Sequence, residues 1–457
     1  MRPAAEAEKV LGIPSAVVSL PGFNTVGQMA AKAAGVPDVP VVEYPGAVGV
    51  DHKEIRDKIQ GVLFERIVNA LTKPIKPRDV GKASAWDSQK VVFEGSFDQV
   101  NAHFHELEWS DGLPIVPPTL ERVQEFLRYT DRAPDEVIAV LPQMNLRATA
   151  WNIAANGVMA GCRPQVMPIL VAMVEALQED QYNLDNIGTT WGIIPYVFLN
   201  GPIVKELGFN TGAGLISRGP NPSLGRALGL IIRNIGGYKP ARNQMGTFGY
   251  PINFAFAENE DLNPWEPYHV EKGFDRNAST VSVSTTMNWG FQPSPYTRDD
   301  QDGATCALKQ LCRDALRKPA MALFAERGPG SFVNDIVFVL APPVAKVLAE
   351  AGYSKDDIRK YICENTTVPR KYLDFELKYT MAEVHTLEEK IELGTFPPEF
   401  DVGPDDPIKV MPGPEFIEIL VAGDPGRNRI KTLDSGYTRV TTKEIRLPAN
   451  WGSLPKA

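Results

Sequence analysis

Residues 150–175 read AWNIAANGVMAGCRPQVMPILVAMVE, two apolar helical runs that meet at a Gly-Cys-Arg-Pro junction. The larger part of the chain is expected to be built on this stretch. A second helix should start at Pro164, because proline at the first helical position lacks only an N–H that would have no partner there. Cys162 sits just before it. A thiol beside a helix N-terminus and an arginine, Arg163, favours the thiolate. The plainer alternative is a small apolar core residue, as free cysteines commonly are. Both readings stand at this point.

Upstream, residues 1–72 alternate helix and strand. Helix is expected over 3–11, strand over 15–20, helix over 23–34 and strand over 39–44. A long amphipathic helix over 52–72 carries apolar residues at 55, 59, 63, 67 and 71, with Asp51 as its N-cap. Strands alternating with helices argue a parallel sheet covered by helices. This unit opens on a helix. In open α/β sheets the chemistry sits at the carboxyl ends of strands, so the first strand and its loop are expected upstream of Met1.

Downstream, residues 73–96 are weakly patterned and read as a linker. A helix over 97–107 carries His103 and His105, whose spacing of two keeps them off one helical face, which makes them poor metal ligands. The stretch 109–119 is an extended Pro-rich loop, and Thr119 opens the next helix. Strands are expected at 137–141, 196–200, 252–257, 280–285, 335–340, 416–421 and 438–447. Helices are expected at 223–235, 306–317, 343–351 and 355–364, and 366–415 looks irregular with some helix. The fold class is therefore α/β, with an N-terminal unit over 1–80, a linker over 81–96 and a larger mixed α/β domain over 97–457.

The 457 residues suggest two or three domains with ample cores. The formal net charge of −9 argues against nucleic acid or an anionic membrane as partner. The four cysteines, 162, 306, 312 and 363, form no CxxC pair and no Cys/His zinc pattern. They fit reduced thiols in a cytoplasmic protein. Cys306 and Cys312 do not share a helical face and read as core. No apolar run reaches the roughly 18 residues of a membrane span, and MRPAAEAEKV has no apolar core of a signal peptide.

Three stretches could carry chemistry. The Gly-rich loop 211–222 (TGAGLISRGPNP) precedes a helix, so its amides, with Arg218 and Arg226, could hold an anion. It is neither a dinucleotide fingerprint nor a P-loop, and a turn-rich connection is the plain alternative. Residues 258–271 (ENEDLNPWEPYHVE) concentrate carboxylates, aromatics and a histidine. In an extended segment Glu258 and Glu260 share a side, and so do His269 and Glu271. A carboxylate on an imidazole raises its basicity and fixes its tautomer, as acid–base catalysis requires. The plain alternative is a stiff, solvated acidic loop. Finally, AGDPGRN (422–428) follows a strand, which places Asp424 and Arg427 where α/β sheets bind ligands, or in a simple surface turn.

Several long phrases resemble a known family. GIPSAVVSL, FNTVGQMAAKAAGVPDV, VVEYPG and ALTKP, spread over residues 9–74, are similar to the α/β domain of the UGSC family, named for a selenocysteine- or cysteine-Gly-Ser-Cys motif. VMAGCRPQVMPILVAMVEAL, LNGPIVKELGFNTG, GRALGLIIRNIGG, FAENEDLNPWEPYHVEKGF and LVAGDPGRN resemble chains that carry such a domain. The resemblance implies a flavodoxin-like parallel-sheet domain, here lacking its first strand, and a selenol or thiol redox theme. The motif itself does not occur in the chain. It would lie upstream, where a selenocysteine UGA read as a stop would restart the frame at Met1, or on a small subunit that supplies the first strand, or it has been lost.

The expectation is a thiol- or selenol-dependent oxidoreductase acting on a small organic substrate. Cys162, His269 and Glu271 are its candidate catalytic groups. Arg163, Arg218, Arg226, Glu258, Glu260 and Asp424 are its candidate substrate-binding groups. The alternatives are a non-redox lyase or hydratase that uses the Glu258–Glu271 segment, and a non-catalytic subunit. The sequence names no cofactor, and a homo-oligomer is expected.

Overall fold

Strands buried on both faces organise this chain, and that requires something packed on each side of every sheet. The computed structural model describes residues 2–48, 51–73, 90–142, 144–287, 289–290, 292–297, 301–316, 334–380 and 385–456. Most of the expected linker, at 74–89, and Arg317 at the end of one expected helix lie outside them.

The N-terminal unit pairs β1 (Val17–Ser19) with β2 (Val41–Glu43) in parallel. Helices Arg2–Leu11 and Asn24–Ala33 lie beside the pair. The helix expected over 52–72 is split. Asp51 caps His52–Lys58 as expected, a wide π turn follows at Ile59–Leu63, and Phe64–Thr72 completes it. Only Leu63 of its apolar series is fully buried, with Val42 and Tyr44, because two short strands cover a narrow strip of helix.

A hairpin of β3 (Val137–Leu141) and β4 (Leu146–Thr149) follows. Four strands, β5 (Ile194–Asn200), β6 (Phe254–Ala257), β7 (Thr280–Thr286) and β8 (Ile336–Leu340), are buried at every position. Beyond a small antiparallel pair, β9 (Thr367–Pro369) with β10 (Pro407–Lys409), come β11 (Ile417–Val421), β12 (Ile430–Asp434) and β13 (Thr441–Glu444). One sheet runs β13–β7–β5–β6, with β5 and β6 parallel and the other pairs antiparallel. The second runs β11–β8–β12, with β11 parallel and β12 antiparallel to β8.

The two-residue period of a strand explains how the sheets stack. Val197 and Leu199 of β5 pack under the helices Ala150–Met159, Met167–Leu177 and Asn221–Asn234. Tyr196 and Phe198 point the other way and meet Phe254, Phe256, Val337, Val339, Leu420 and Leu433. On the second sheet Ile336, Phe338, Ile417, Ile419 and Ile430 pack under Gly303–Ala315, Pro342–Glu350 and Lys355–Asn365. The layers are helix, sheet, sheet, helix, a mixed α/β architecture. Gly225 lets helix Asn221–Asn234 lie directly on β6, since a Cβ there would stand 2.6 Å from Phe254 Cα.

The strands β4, β9, β10 and β12 were not expected from the sequence, and the final strand is shorter than expected, at Thr441–Glu444. Thr149 and Thr119 cap the helices that follow them, Thr149 as part of a capping box. Among the described residues, no helix is long and apolar enough to cross a membrane.

The inter-sheet stack is expected to dominate stability. Phe198 is fully buried and touches Tyr196, Phe256 and Tyr268. Phe198→Ala should cost about 3–5 kcal/mol, whereas Phe248→Ala, at a fully exposed side chain, should stay within about 0.5 kcal/mol. Urea midpoints check this, and equal shifts would contradict the layer assignment.

Candidate functional site

The inter-sheet layer opens at one end into a cleft of about 350 Å³. Its floor is Phe256, Val339 and Leu433, the same side chains that join the sheets. One wall is the Gly-rich loop, through Gly212, Gly214, Leu215, Ile216 and Ser217. The other is the turn after β11, through Gly423, Asp424 and Arg427. Gly423 N–H donates to Thr211 O at 2.9 Å and joins the walls. The turn is built locally: Gly423 adopts φ +102°, and the Asp424 carboxylate accepts from Gly426 N–H at 2.8 Å, as Asp does in such turns.

Three cations line this cleft. Lys431 stands on β12, is only 9% exposed, and lies 4.6 Å over the Trp289 ring. Its Nζ donates to Gly290 O at 3.1 Å. Burial outweighs the fields of Asp314 and Asp434 and brings the amine down to about 8. Arg427 donates to Gly426 O, and Arg429 to Gln292 O and Ser294 Oγ. Among the described residues none of the three forms an ion pair with a carboxylate.

The acid- and histidine-rich segment occupies the seam between the sheets, beside this cleft. Glu258 is fully buried and accepts from Tyr268 N–H at 2.8 Å, Val421 N–H at 3.2 Å, Asn263 Nδ2 at 3.0 Å and Asn200 Nδ2 at 2.5 Å. Burial raises its carboxyl above the ordinary value, against the pull of Lys355 and these donors. Glu260 shares the Asn200 amide at 3.2 Å and accepts from Gly201 N–H at 2.7 Å, so the two carboxylates do lie on one side. His269 is buried, with Nδ1 3.4 Å from Glu260 and Nε2 3.3 Å from Arg276 O.

His269 and Glu271 do not meet. Pro267 leads into a helical turn, Tyr268–Glu271, rather than an extended segment, and a spacing of two on a helix sends side chains apart. Glu271 instead binds Lys355 at 2.8 Å and Arg359. Burial would raise its carboxyl, but these two cations hold it below its ordinary value.

Cys162 is buried in the helical core with Sγ 3.3 Å from Ser223 O, and burial pushes its thiol up to about 12. The expected activation by Arg163 does not arise, because Arg163 donates to Leu207 O at 2.5 Å and Pro164 opens only a 3-10 turn. Arg163 lines a separate open cleft of about 530 Å³ with Lys205 and Glu206. Lys205 is paired there with Asp261 at 2.6 Å. Arg226 is spent on Asp111, gripped through two nitrogens at 2.9 and 2.8 Å. Arg218 is exposed and does not line the main cleft, although the loop that carries it does. Asp424 lines it as expected.

Lys431, Arg429 and Trp289 are the site residues that sequence reasoning missed. The signal was present in IKTLD (430–434), whose alternation puts Lys431 and Leu433 on one side of a strand. Among the described residues, no cluster of three or more His, Cys, Asp or Glu could hold a metal ion. Comparison with protein-family models, curated proteins and solved structures finds no match, and the chemistry rests on the geometry.

The lowered amine has a direct consequence. Trace acetylation with acetic anhydride should give Lys431 a reactivity midpoint near pH 8, where its amine sits, against about 10.4 for lysine in a model peptide. Peptide mass spectrometry across pH 6–11, with a lysine model peptide added as reference, reads both midpoints, and a Lys431 midpoint matching the model peptide would contradict the burial argument.

Proposed function

We propose that this chain is an enzyme acting on a small organic acid, bound between the Gly-rich loop and the turn after β11. One observation carries the reading: Arg427, Arg429 and Lys431 converge, without carboxylate partners among the described residues, on a cleft with an apolar floor. A guanidinium offers paired N–H donors that match a carboxylate. Phe256, Val339, Leu433 and Trp289 would take the hydrocarbon part of such a ligand, and the cleft is within the size range of small-molecule sites. It also sits beside the carboxyl ends of the parallel strands β6 and β11, where α/β sheets place their ligands.

The reaction class we favour is non-redox, of the lyase or hydratase kind, with Lys431 as the reactive amine. An amine near 8 exchanges protons close to neutral pH far more readily than an ordinary lysine. Glu258, Glu260 and His269 then shape the site by holding its strand ends. A thiol or selenol role, and a flavodoxin-like reading of the β1–β2 unit, remain proposals carried by the resemblance to the UGSC family. That chemistry requires a sulfur or selenium other than the four cysteines, none of which lines the cleft. Their free state supports a reducing, cytoplasmic setting.

The test is calorimetric titration with benzoate and with pyruvate. The double variant Arg427→Met/Arg429→Met should weaken binding at least about tenfold, as loss of charge-assisted hydrogen bonds requires. Arg163→Met, in the other cleft, should leave it unchanged. Equal affinity in wild type and double variant, or loss only in Arg163→Met, would overturn the assignment.

A further inference from the structure

We infer that Lys431 is a covalent catalyst: its Nζ condenses with the carbonyl carbon of a 2-oxo acid held in the cleft by Arg427 and Arg429. The inference rests on the reading of the cleft as an organic-acid site and goes beyond it by naming the nucleophile and the carbonyl class.

Geometry carries the argument. Lysine is costly to bury without a carboxylate partner, yet Lys431 is buried here with none within ion-pairing distance among the described residues. Among the described residues its Nζ has one hydrogen-bond acceptor, Gly290 O at 3.1 Å, and an aromatic face, Trp289, at 4.6 Å. The charged groups that act on it, Asp314 and Asp434, do not restore an ordinary amine. Desolvation of this kind makes lysine a nucleophile, because the neutral amine, with its free electron pair, becomes accessible near neutral pH. The same cleft supplies what a 2-oxo acid needs: two guanidinium groups for the carboxylate and an apolar floor for the remainder. The arginines line the mouth and are exposed, whereas Lys431 is buried beneath them. A carboxylate at the mouth therefore directs the adjacent carbonyl inward.

The step balances without a redox partner. The neutral Nζ forms a bond to the carbonyl carbon as the carbonyl π pair moves to oxygen, which takes the proton that nitrogen gives up. The resulting hydroxyl leaves as water with a second proton from solvent, and an iminium joins Lys431 to the substrate carbon. This iminium is an electron sink for breaking a bond at the neighbouring carbon, which suits the lyase class.

The experiment is borohydride trapping with pyruvate on the full chain, paired with calorimetry on the same samples. Hydride adds to the iminium carbon and leaves a permanent gain of about 72 Da on the lysine. The expected result is an adduct on the peptide bearing Lys431, at least about tenfold above any other lysine, as expected for a desolvated amine that lines the cleft. It should be absent in Lys431→Arg, whose folding is checked by circular dichroism. Pyruvate that binds to wild type but gives no adduct at Lys431, or adducts spread evenly over exposed lysines, overturns the inference and leaves the organic-acid site standing. Pyruvate and benzoate that both fail to bind overturn the two together.

Discussion

One buried carboxylate holds the functional end of this molecule together. Glu258 takes four donors from three separate pieces of chain: Asn200 at the end of β5, Tyr268 and Asn263 in the connecting segment, and Val421 at the end of β11. The first sheet and the second sheet therefore share one acceptor at their carboxyl ends. Hydrogen bonds to a charged group are each worth about 1.5–3 kcal/mol net, and a buried donor left without its partner costs a similar amount. Burial raises the carboxyl, and the Lys355 charge together with these donors works against it. Val421 is followed directly by Ala422 and Gly423 of the cleft wall. The position of that wall is thus set by the seam.

A second set of charges clamps the same segment from outside. Glu271 binds Lys355 and Arg359, Arg359 also donates to Ile417 O at 2.8 Å, and Glu418 binds Lys272 at 2.6 Å. Buried ion pairs of this kind add little net stability, because desolvation offsets most of the Coulomb energy. Their effect here is positional: two cations of helix Lys355–Asn365 and one strand fix where the turn Tyr268–Glu271 docks. Residues that resemble an acid–base cluster in one dimension are mostly fasteners in three. Among the described residues, the cleft is left with cations that have no such partners.

Much of the architecture was legible because it depends on local pattern. The runs around Tyr196–Asn200, Ile336–Leu340 and Ile417–Val421 are apolar at most positions, and only a strand covered on both sides has that signature. Helix starts were legible through Thr119 and Asp51, whose side chains cap as the sequence suggests. The strand Ile430–Asp434 was harder to read, because Lys431, Thr432 and Asp434 blur its apolar alternation. Their burial depends on Asp314, whose carboxylate accepts from Thr432 Oγ1 across 118 residues, and on Gly290. For the same reason the site was half legible. The loop 211–217 and the turn 422–428 announce themselves through glycine and Asp-Pro-Gly chemistry. The fates of Arg226, fixed by Asp111, and of Glu271, fixed by Lys355, are set by partners far away in sequence. Cys162 looked activated by its neighbours in sequence, but burial in the helical core dominates.

The central claim is that the ligand binds at the end of the inter-sheet layer rather than in the open cleft around Arg163. Hydrogen–deuterium exchange with saturating pyruvate tests it directly, because amide protection reports which walls a ligand closes. The account predicts slowed exchange confined to residues 211–217 and 422–433. Protection of the open cleft around Arg163 and Lys205 instead, or protection spread along 258–276 without the two cleft walls, would contradict it.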